Sequence, residues 1–196
     1  MSTHQDHPRQ IRQLTADDAA AYRRIRHAML TGAPQAYFSS PEDETDRDDA
    51  AWAKRLADPN AVTFGVSVDG DGNGDGNGDG DGDGDVDGTL VAVATIFRHE
   101  RVKAKHRAGI VAVWCEPEHR RSGHAAAVIE AAIDHARTWP DVQRLEIGVS
   151  SESPAAHRLY ERLGFRAWGR EPQAMWLGDR FTEEVHMVRM LEPRDD

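Results

Sequence analysis

The sequence contains one cysteine, Cys115, and no apolar run of the length needed to cross a membrane. A lone cysteine excludes a disulfide within the chain and favours a reducing compartment. The first ten residues, MSTHQDHPRQ, also lack the apolar core of a secretory signal. Together these absences predict a cytoplasmic protein that does not contact the membrane.

Two nucleotide-binding motifs are missing as well. The chain has no G-x-x-x-x-G-K-[ST] phosphate loop, and no G-x-G-x-x-G follows its first predicted strand. The net charge of −10 is concentrated in one place, because eight aspartates and no lysine or arginine lie in residues 69–88, which leaves −2 for the remainder. A nearly neutral remainder argues against a broad basic surface for nucleic acid.

The Asp/Gly-rich tract interrupts a pattern that is otherwise typical of a hairpin. Without residues 71–88 the sequence VSVDGTLVAV has two β-branched strands joined by Asp-Gly, a strong turn signal. We therefore expect one domain over residues 1–196 with a disordered insert at about 69–88. A calcium loop is the alternative, since Asp69, Asp71 and Asn73 have the opening spacing of an EF-hand. Its twelfth position is Gly80 instead of glutamate, so we expect no metal.

Hydrophobic periodicity indicates the order of the other elements. The helical spacing of Tyr22, Ile25 and Met29 predicts a first helix over about residues 16–30. Ser40-Pro41 predicts the start of a second helix, because serine can cap it and proline suits its first position. The apolar run GIVAVWC predicts a central strand, and the whole order is β-α-α-β-β-β-α-β-α-β-β. This order indicates a mixed α/β fold with a strand–helix–strand unit in its middle.

The stretch CEPEHRRSGHAAAVIEAAI, which follows the central strand, has the composition of an anion site. A helix start leaves backbone N–H groups unpaired and carries partial positive charge. Gly123 removes side-chain bulk there, and Arg120 and Arg121 add charged donors. Two arginines alone are more typical of a solvated loop, so the prediction depends on the order of strand, turn, basic pair, glycine and helix.

The motif RRSGHA (residues 120–125) resembles the Q/R-x-x-G-x-G/A acyl-CoA signature of the GNAT acetyltransferase superfamily. Further along, SPAAHRLYERLGF is similar to that superfamily's second landmark, in which L-Y-x-x-x-G-F closes the helix after the fifth strand. The resemblance extends over roughly Gln10 to Leu191. It implies a three-layer α/β (α+β) fold, with a mixed, mostly antiparallel sheet of about seven strands flanked by helices.

The same resemblance implies where acetyl-CoA would bind. In the family the pantetheine arm lies between splayed fourth and fifth strands, and the pyrophosphate lies on the amides at the following helix start. Ser153 stands where many members carry asparagine, so its contact with the cofactor is open, since serine makes fewer hydrogen bonds than an amide. The implied cofactor-binding residues are Val113, Trp114, Cys115, Arg120, Arg121, Ser122, Gly123, His124, Ala125 and Ser153.

Tyr160 matches the family's tyrosine that protonates the departing thiolate, as a positioned proton donor would. A tyrosine that only packs its helix against the sheet is the alternative. Cys115 beside a thioester suggests a covalent acyl-enzyme. We expect an inert core thiol instead, because such cysteines are commonly buried and family members usually transfer the acyl group directly.

The general base is open at this stage. Glu146 is the leading candidate, because it points away from Leu145 and Ile147 on its strand and so faces the acceptor cleft if they face the core. A plain surface carboxylate and a water relay are alternatives. Weaker candidates are Glu44, His99 and His106.

The resemblance therefore implies an acyl-CoA-dependent N-acetyltransferase acting directly on a primary amine. A non-catalytic GNAT-like module that binds or senses acyl-CoA is the alternative. We expect a small-molecule or peptide amine as the partner, and neither nucleic acid nor membrane. Dimers are common in the family, so a homodimer is open, and the sequence does not identify the acceptor.

Overall fold

The computed structural model of the protein describes residues 10–68 and 88–192. The predictions of disorder and of calcium binding fall on the Asp/Gly tract, which apart from Gly88 lies outside these residues. The four α-helices in the described part are α1 (Ala19–Gly32), α2 (Asp49–Leu56), α3 (His124–Ala136) and α4 (Pro154–Arg162). The strands are β1 (Gln10–Gln13), β2 (Ala61–Val68), β3 (Thr89–Arg98), β4 (Arg107–Cys115), β5 (Arg144–Ser150), β6 (Arg166–Trp176) and β7 (Phe181–Met190).

The strands form one sheet in the order β1-β2-β3-β4-β5-β7-β6. Only β4 and β5 pair in parallel, and the other neighbours are antiparallel. One apolar cluster joins α3 and α4 to one face of the sheet, and a second joins α1 and α2 to the other. The predicted element order and the three-layer, mostly antiparallel fold are therefore confirmed. Across the described ranges, no helix combines the length and apolar content that a membrane crossing requires.

The two central strands separate partway along their length. Parallel pairing runs from Arg107↔Arg144 to Ile110↔Ile147 and then ends. Beyond that point β4 continues beside β3 alone, and β5 continues beside β7 alone. A bulge accompanies the separation, because the β3–β4 register shifts there and Ala112 has a positive φ of 53°. The sheet therefore opens on the β5 side of the β4 end.

The second helix begins later than the sequence suggested. Ser40-Pro41 precedes only a short 3-10 turn at Glu42–Glu44, and α2 starts at Asp49. The Asp48 carboxylate accepts a hydrogen bond from the Ala51 amide at 2.8 Å, which caps the helix there. The prediction of its start was wrong because two competing cap signals lie eight residues apart. Its buried face is confirmed, since Trp52 and Leu56 are both buried.

A buried ion pair fixes the segment between α1 and α2. Arg26 of α1 donates to Glu44 through Nε at 3.0 Å and through Nη2 at 2.8 Å. Both side chains are only 8% exposed. From the same segment, the Tyr37 hydroxyl donates to the Val113 carbonyl of β4 at 2.6 Å. These contacts hold the segment against the open part of the sheet.

Glu44→Gln should lower the free energy of unfolding by about 3 kcal/mol, because Arg26 would remain charged and buried without a counter-ion. Urea unfolding followed by circular dichroism measures the change. The matched control is Glu42→Gln, which alters an exposed carboxylate of the same 3-10 turn. Equal stability of the two variants would contradict a structural role for the ion pair.

Candidate active site

A cavity of about 1100 Å³ lies where β4 and β5 separate. Its walls include Ile147 and Met187, which belong to the cluster under α3 and α4. They also include Gly148 and His186, which alternate with those residues along their strands and so face the α1 side. The cavity thus has walls from both faces of the sheet, and two molecules entering from opposite faces can meet in it.

The start of α3 forms one wall. Gly123 is its N-cap residue with a φ of 81°, a left-handed conformation that glycine adopts without strain. No residue in the described ranges accepts a hydrogen bond from the amides of Arg121, Ser122, Gly123 or Ala125. Because such amides carry the positive end of the helix dipole, this wall can bind an anion. Of the predicted residues at this turn, only Ser122 does not line the cavity.

The two arginines of this turn differ in their surroundings. Arg120 folds back on β4, where its Nε donates to the Cys115 carbonyl at 3.1 Å and its guanidinium lies 5.0 Å from the Trp114 ring centroid. Arg121 is exposed and makes no hydrogen bond or ion pair with any residue that the structure describes. Its charge is therefore available to a ligand, whereas Arg120 also helps to fix the turn.

The predicted residues of β4 all line the cavity. The Val113 carbonyl already accepts from Tyr37, and the side chain of Trp114 is buried against α1. Past Ile110 the β4 edge has no partner on the β5 side. Backbone groups on such an edge can hydrogen-bond a ligand that carries amides.

Cys115 is a buried thiol that donates to the His119 carbonyl, with 3.4 Å between Sγ and the oxygen. Burial raises the pKa of the thiol to about 11, which leaves almost no thiolate at neutral pH. These surroundings fit the inert thiol expected from the sequence better than a nucleophile.

Tyr160 of α4 lines the cavity and is only 5% exposed. Its ring packs edge-on against Phe165 with 6.3 Å between centroids. The hydroxyl makes no hydrogen bond with any of residues 10–68 and 88–192. Burial raises the pKa of Tyr160, so the phenol stays protonated at neutral pH and can donate.

Ser153 occupies the N-cap position of α4, with Pro154 in the first turn as the sequence suggested. Its side chain makes no capping hydrogen bond, although serine is a common N-cap residue. Ser153 lines the cavity.

Glu146 faces away from the core as expected, because Leu145 and Ile147 are buried while it is only half-buried. Its two carboxylate oxygens each accept a hydrogen bond from Arg107 at 2.7 Å, and Arg144 lies 2.9 Å away. Burial tends to raise the pKa of Glu146, but the hydrogen bonds and charge of Arg107 outweigh it and the pKa is lowered. An acid held in this way is a weak proton acceptor.

The other base candidates are placed differently. His99 lines the cavity, with Nε2 4.0 Å from the Glu146 carboxylate. His106 is exposed outside the cavity lining, and Glu44 is held by Arg26. Neither of these last two is brought to the site.

Sequence reasoning missed a group of residues on the β6–β7 hairpin. Glu184 and His186 line the cavity, and Glu171 hydrogen-bonds the His186 ring at 3.0 Å. Their ligand atoms lie within 4.8 Å of one another, but a small acidic group of this kind is common without an ion. In FTEEVHMVRML, Glu184 and His186 alternate with the buried Val185 and Met187. This period-two pattern is the sequence signal that marks the cavity face of the strand.

Comparison with known proteins gives an acetyltransferase as a relative. A stretch of 82 residues is 28% identical to spermidine N(1)-acetyltransferase of Vibrio cholerae. The stretch covers 42% of this chain and 47% of that protein. The matched part thus spans about half of that relative's length.

Solved structures agree in fold. An acetyltransferase of the GNAT family from Streptococcus pneumoniae superposes with a TM-score of 0.74 at 17% identity, covering 94% of this chain and 100% of its own. A putative acetyltransferase from Salmonella typhimurium with acetyl-CoA gives 0.71 at 20% identity, covering 96% and 97%. Spermidine N-acetyltransferase from Vibrio cholerae with CoA and spermine gives 0.67 at 18% identity, covering 93% and 95%.

The family model described as "Acetyltransferase (GNAT) family" matches residues 27–165 of this chain, which include α3, α4 and the parts of β4 and β5 that line the cavity. By this match over most of its length, the chain belongs to the GNAT acetyltransferase family.

Proposed function

We propose that this protein is an acyl-CoA-dependent N-acetyltransferase that moves an acetyl group from acetyl-CoA directly to a primary amine. The observation that carries the proposal is the cavity with walls from both faces of the sheet. A donor on the α3 side and an acceptor on the α1 side would meet at the gap without moving through the protein.

The residues around the gap fit CoA. The amides of Arg121, Ser122, Gly123 and Ala125, which no described residue accepts from, and the charge of Arg121 suit its pyrophosphate. The open β4 edge at Val113 to Cys115 suits the amides of its pantetheine arm. The Salmonella and Vibrio structures, which contain acetyl-CoA and CoA, support this choice of donor.

Tyr160 would serve as the general acid. When the amine attacks the thioester carbonyl, the C–N bond forms, and the C–S bond breaks as the tetrahedral intermediate collapses. A phenol that is buried, protonated and without another hydrogen-bond partner is suited to donating its proton to the departing sulfur. The anionic phenolate is disfavoured in this site, so the proton would be regained quickly.

A small cationic amine is the acceptor we favour. The α1 side of the cavity presents carboxylates and the aromatic rings of Phe38 and Trp168, both of which attract cations. The curated relative from Vibrio cholerae acts on spermidine, which is a small amine of this type. The compartment we propose is the cytoplasm, because the one cysteine is a free thiol.

The proposed function is tested by binding and then by turnover. Acetyl-CoA at 100 times its dissociation constant should add about 2.7 kcal/mol to the free energy of unfolding, seen as a thermal shift. Release of CoA thiol is then followed with spermidine, putrescine, lysine and a peptide with a free N-terminus. Binding without turnover of any amine would favour the sensing module instead, and no binding would contradict both.

Arg121→Ala should weaken acetyl-CoA binding about tenfold, because a charged donor to the pyrophosphate is lost. Binding of S-acetylpantetheine, which has no pyrophosphate, should not change. Isothermal titration measures both ligands, with Arg137→Ala at the other end of α3 as the matched control. An equal loss for both ligands would count against the pyrophosphate assignment.

Tyr160→Phe should lower kcat on the order of 10²-fold, because the thiolate would leave without its proton donor. The KM for acetyl-CoA and the melting temperature should change little, since the hydroxyl makes no hydrogen bond with a described residue. Steady-state kinetics with the best amine of the panel gives both constants. Unchanged kcat would leave Tyr160 with a packing role only.

A further inference from the structure

Three carboxylates line the cavity, and two of them are neutralised by arginine. Glu146 is held by Arg107, and Glu152 accepts from Arg180 at 2.9 and 3.2 Å. Glu184 has no lysine or arginine partner within the described residues. It is therefore the cavity carboxylate whose negative charge is least compensated.

Glu184 reaches the cavity because β5 has a glycine beside it. Glu184 pairs with Ser150 across the β5–β7 ladder, and its carboxylate leans over Gly148. A Cβ added at Gly148 would lie 2.2 Å from Glu184 Oε1 and 2.5 Å from its Cδ. The missing side chain at Gly148 is thus the space that the carboxylate occupies.

The surroundings of Glu184 are those of a proton acceptor. Its side chain is 16% exposed, and burial raises the pKa of the carboxyl. His186 opposes this rise and Glu171 adds to it, while the facing β5 residues Gly148 and Ser150 carry no charge. A carboxylate in this position gains from a proton or from a bound cation.

We propose that Glu184 is the general base of the reaction and takes a proton from the acceptor ammonium before attack. This inference rests on the proposed acetyltransferase function and adds the residue that prepares the nucleophile. A protonated amine such as a lysine side chain has a pKa of about 10.4. At neutral pH it must therefore lose a proton before its nitrogen lone pair can attack. Glu184 lies on the α1 side of the gap, where the acceptor would enter.

The protons of the step balance. The ammonium gives one proton to Glu184, and the neutral amine then attacks the thioester carbon. As the C–S bond breaks, the sulfur takes a proton from Tyr160, and the nitrogen loses a second proton that restores the phenol through solvent. The products are the amide, the CoA thiol and one proton released from Glu184.

His186 gives that proton a way out. Its Nδ1 lies 3.5 Å from Glu184 and its Nε2 lies 3.0 Å from Glu171, which is exposed. The imidazole thus lies between the partly buried carboxylate of Glu184 and the exposed carboxylate of Glu171. Glu184 can be returned to its ionised state after each turnover along this line.

Glu184→Gln is the direct test, with Glu183→Gln as its matched control. Glu183 is the preceding residue of β7, outside the cavity lining, where it pairs with Arg170 at 2.9 Å. With the amine that the wild type acetylates fastest, kcat/KM of Glu184→Gln at pH 7.5 should fall on the order of 10²-fold. The loss should shrink as pH rises to 9.5, because more of the amine is then already neutral. Glu183→Gln should match the wild type throughout.

Gly148→Ala tests the geometry without removing the acid. The added methyl group meets the end of a flexible side chain, so the fold should tolerate it while the carboxylate moves away. The single change should lower kcat with little effect on the melting temperature. Combined with Glu184→Ala it should cause almost no further loss, because both substitutions remove the same group from the same place.

The results of these experiments distinguish a failure of the proposed acetyltransferase function from a failure of the role of Glu184. If the wild type turns over no amine, the proposed function and this role both fall. If the wild type is active and Glu184→Gln keeps its kcat, or loses the same factor at every pH, only the role of Glu184 as the base is overturned. Additive losses for Gly148→Ala and Glu184→Ala would likewise contradict it.

Discussion

The end of pairing between β4 and β5 is the constraint on which the site depends. A parallel pair in the middle of a sheet normally satisfies its backbone groups along its whole length, yet here the ladder ends at Ile110↔Ile147. The bulge at Ala112 turns the end of β4 away from β5. The opening leaves a cavity and an unpaired strand edge at the place where α3 begins. The cavity supplies space, the strand edge supplies hydrogen-bonding groups, and the start of α3 supplies positive potential.

Which acid can act as a base is decided by its neighbours across the sheet. Glu146 and Glu184 both point to the α1 side, but Arg107 and Arg144 surround the first, whereas the second has no arginine or lysine partner among the described residues and lies 3.5 Å from His186. Paired arginines stabilise a carboxylate and make it a poor proton acceptor. An acid kept partly buried without such a partner costs stability, and that cost is typical of residues retained for chemistry.

The sequence predicted those features of the site that depend on short, local motifs. The position of the turn before α3 in the cavity wall, the glycine that ends α4 and the cavity position of Tyr160 all follow from motifs of six to thirteen residues. The Arg144–Glu146 ion pair was not predicted from the sequence, although residues two apart on a strand share a face. The start of α2 was predicted wrongly because Ser40 and Asp48 are both good caps, and only packing of Trp52 and Leu56 selects between them.

The cavity position of Glu184, on which its proposed role rests, could not be predicted, because it depends on the register between β5 and β7. Only that register places the side chain of one strand in the space left by Gly148 on another. Arg107 reaches Glu146 in the same way, from a strand 39 residues away in sequence. Long-range pairings of this kind have no signature in a single chain, even when each strand is recognised correctly.

Under the proposed function, the hydrogen bond from Tyr37 to the Val113 carbonyl would link the binding of the two substrates. The tyrosine belongs to the segment over the acceptor side, and the carbonyl belongs to the edge suited to pantetheine. A pantetheine arm that takes this carbonyl must share it with the phenol or displace the phenol, and either event alters the acceptor's entrance. Under the proposed function the two substrates would therefore be thermodynamically coupled, and each would change the affinity for the other by the same factor.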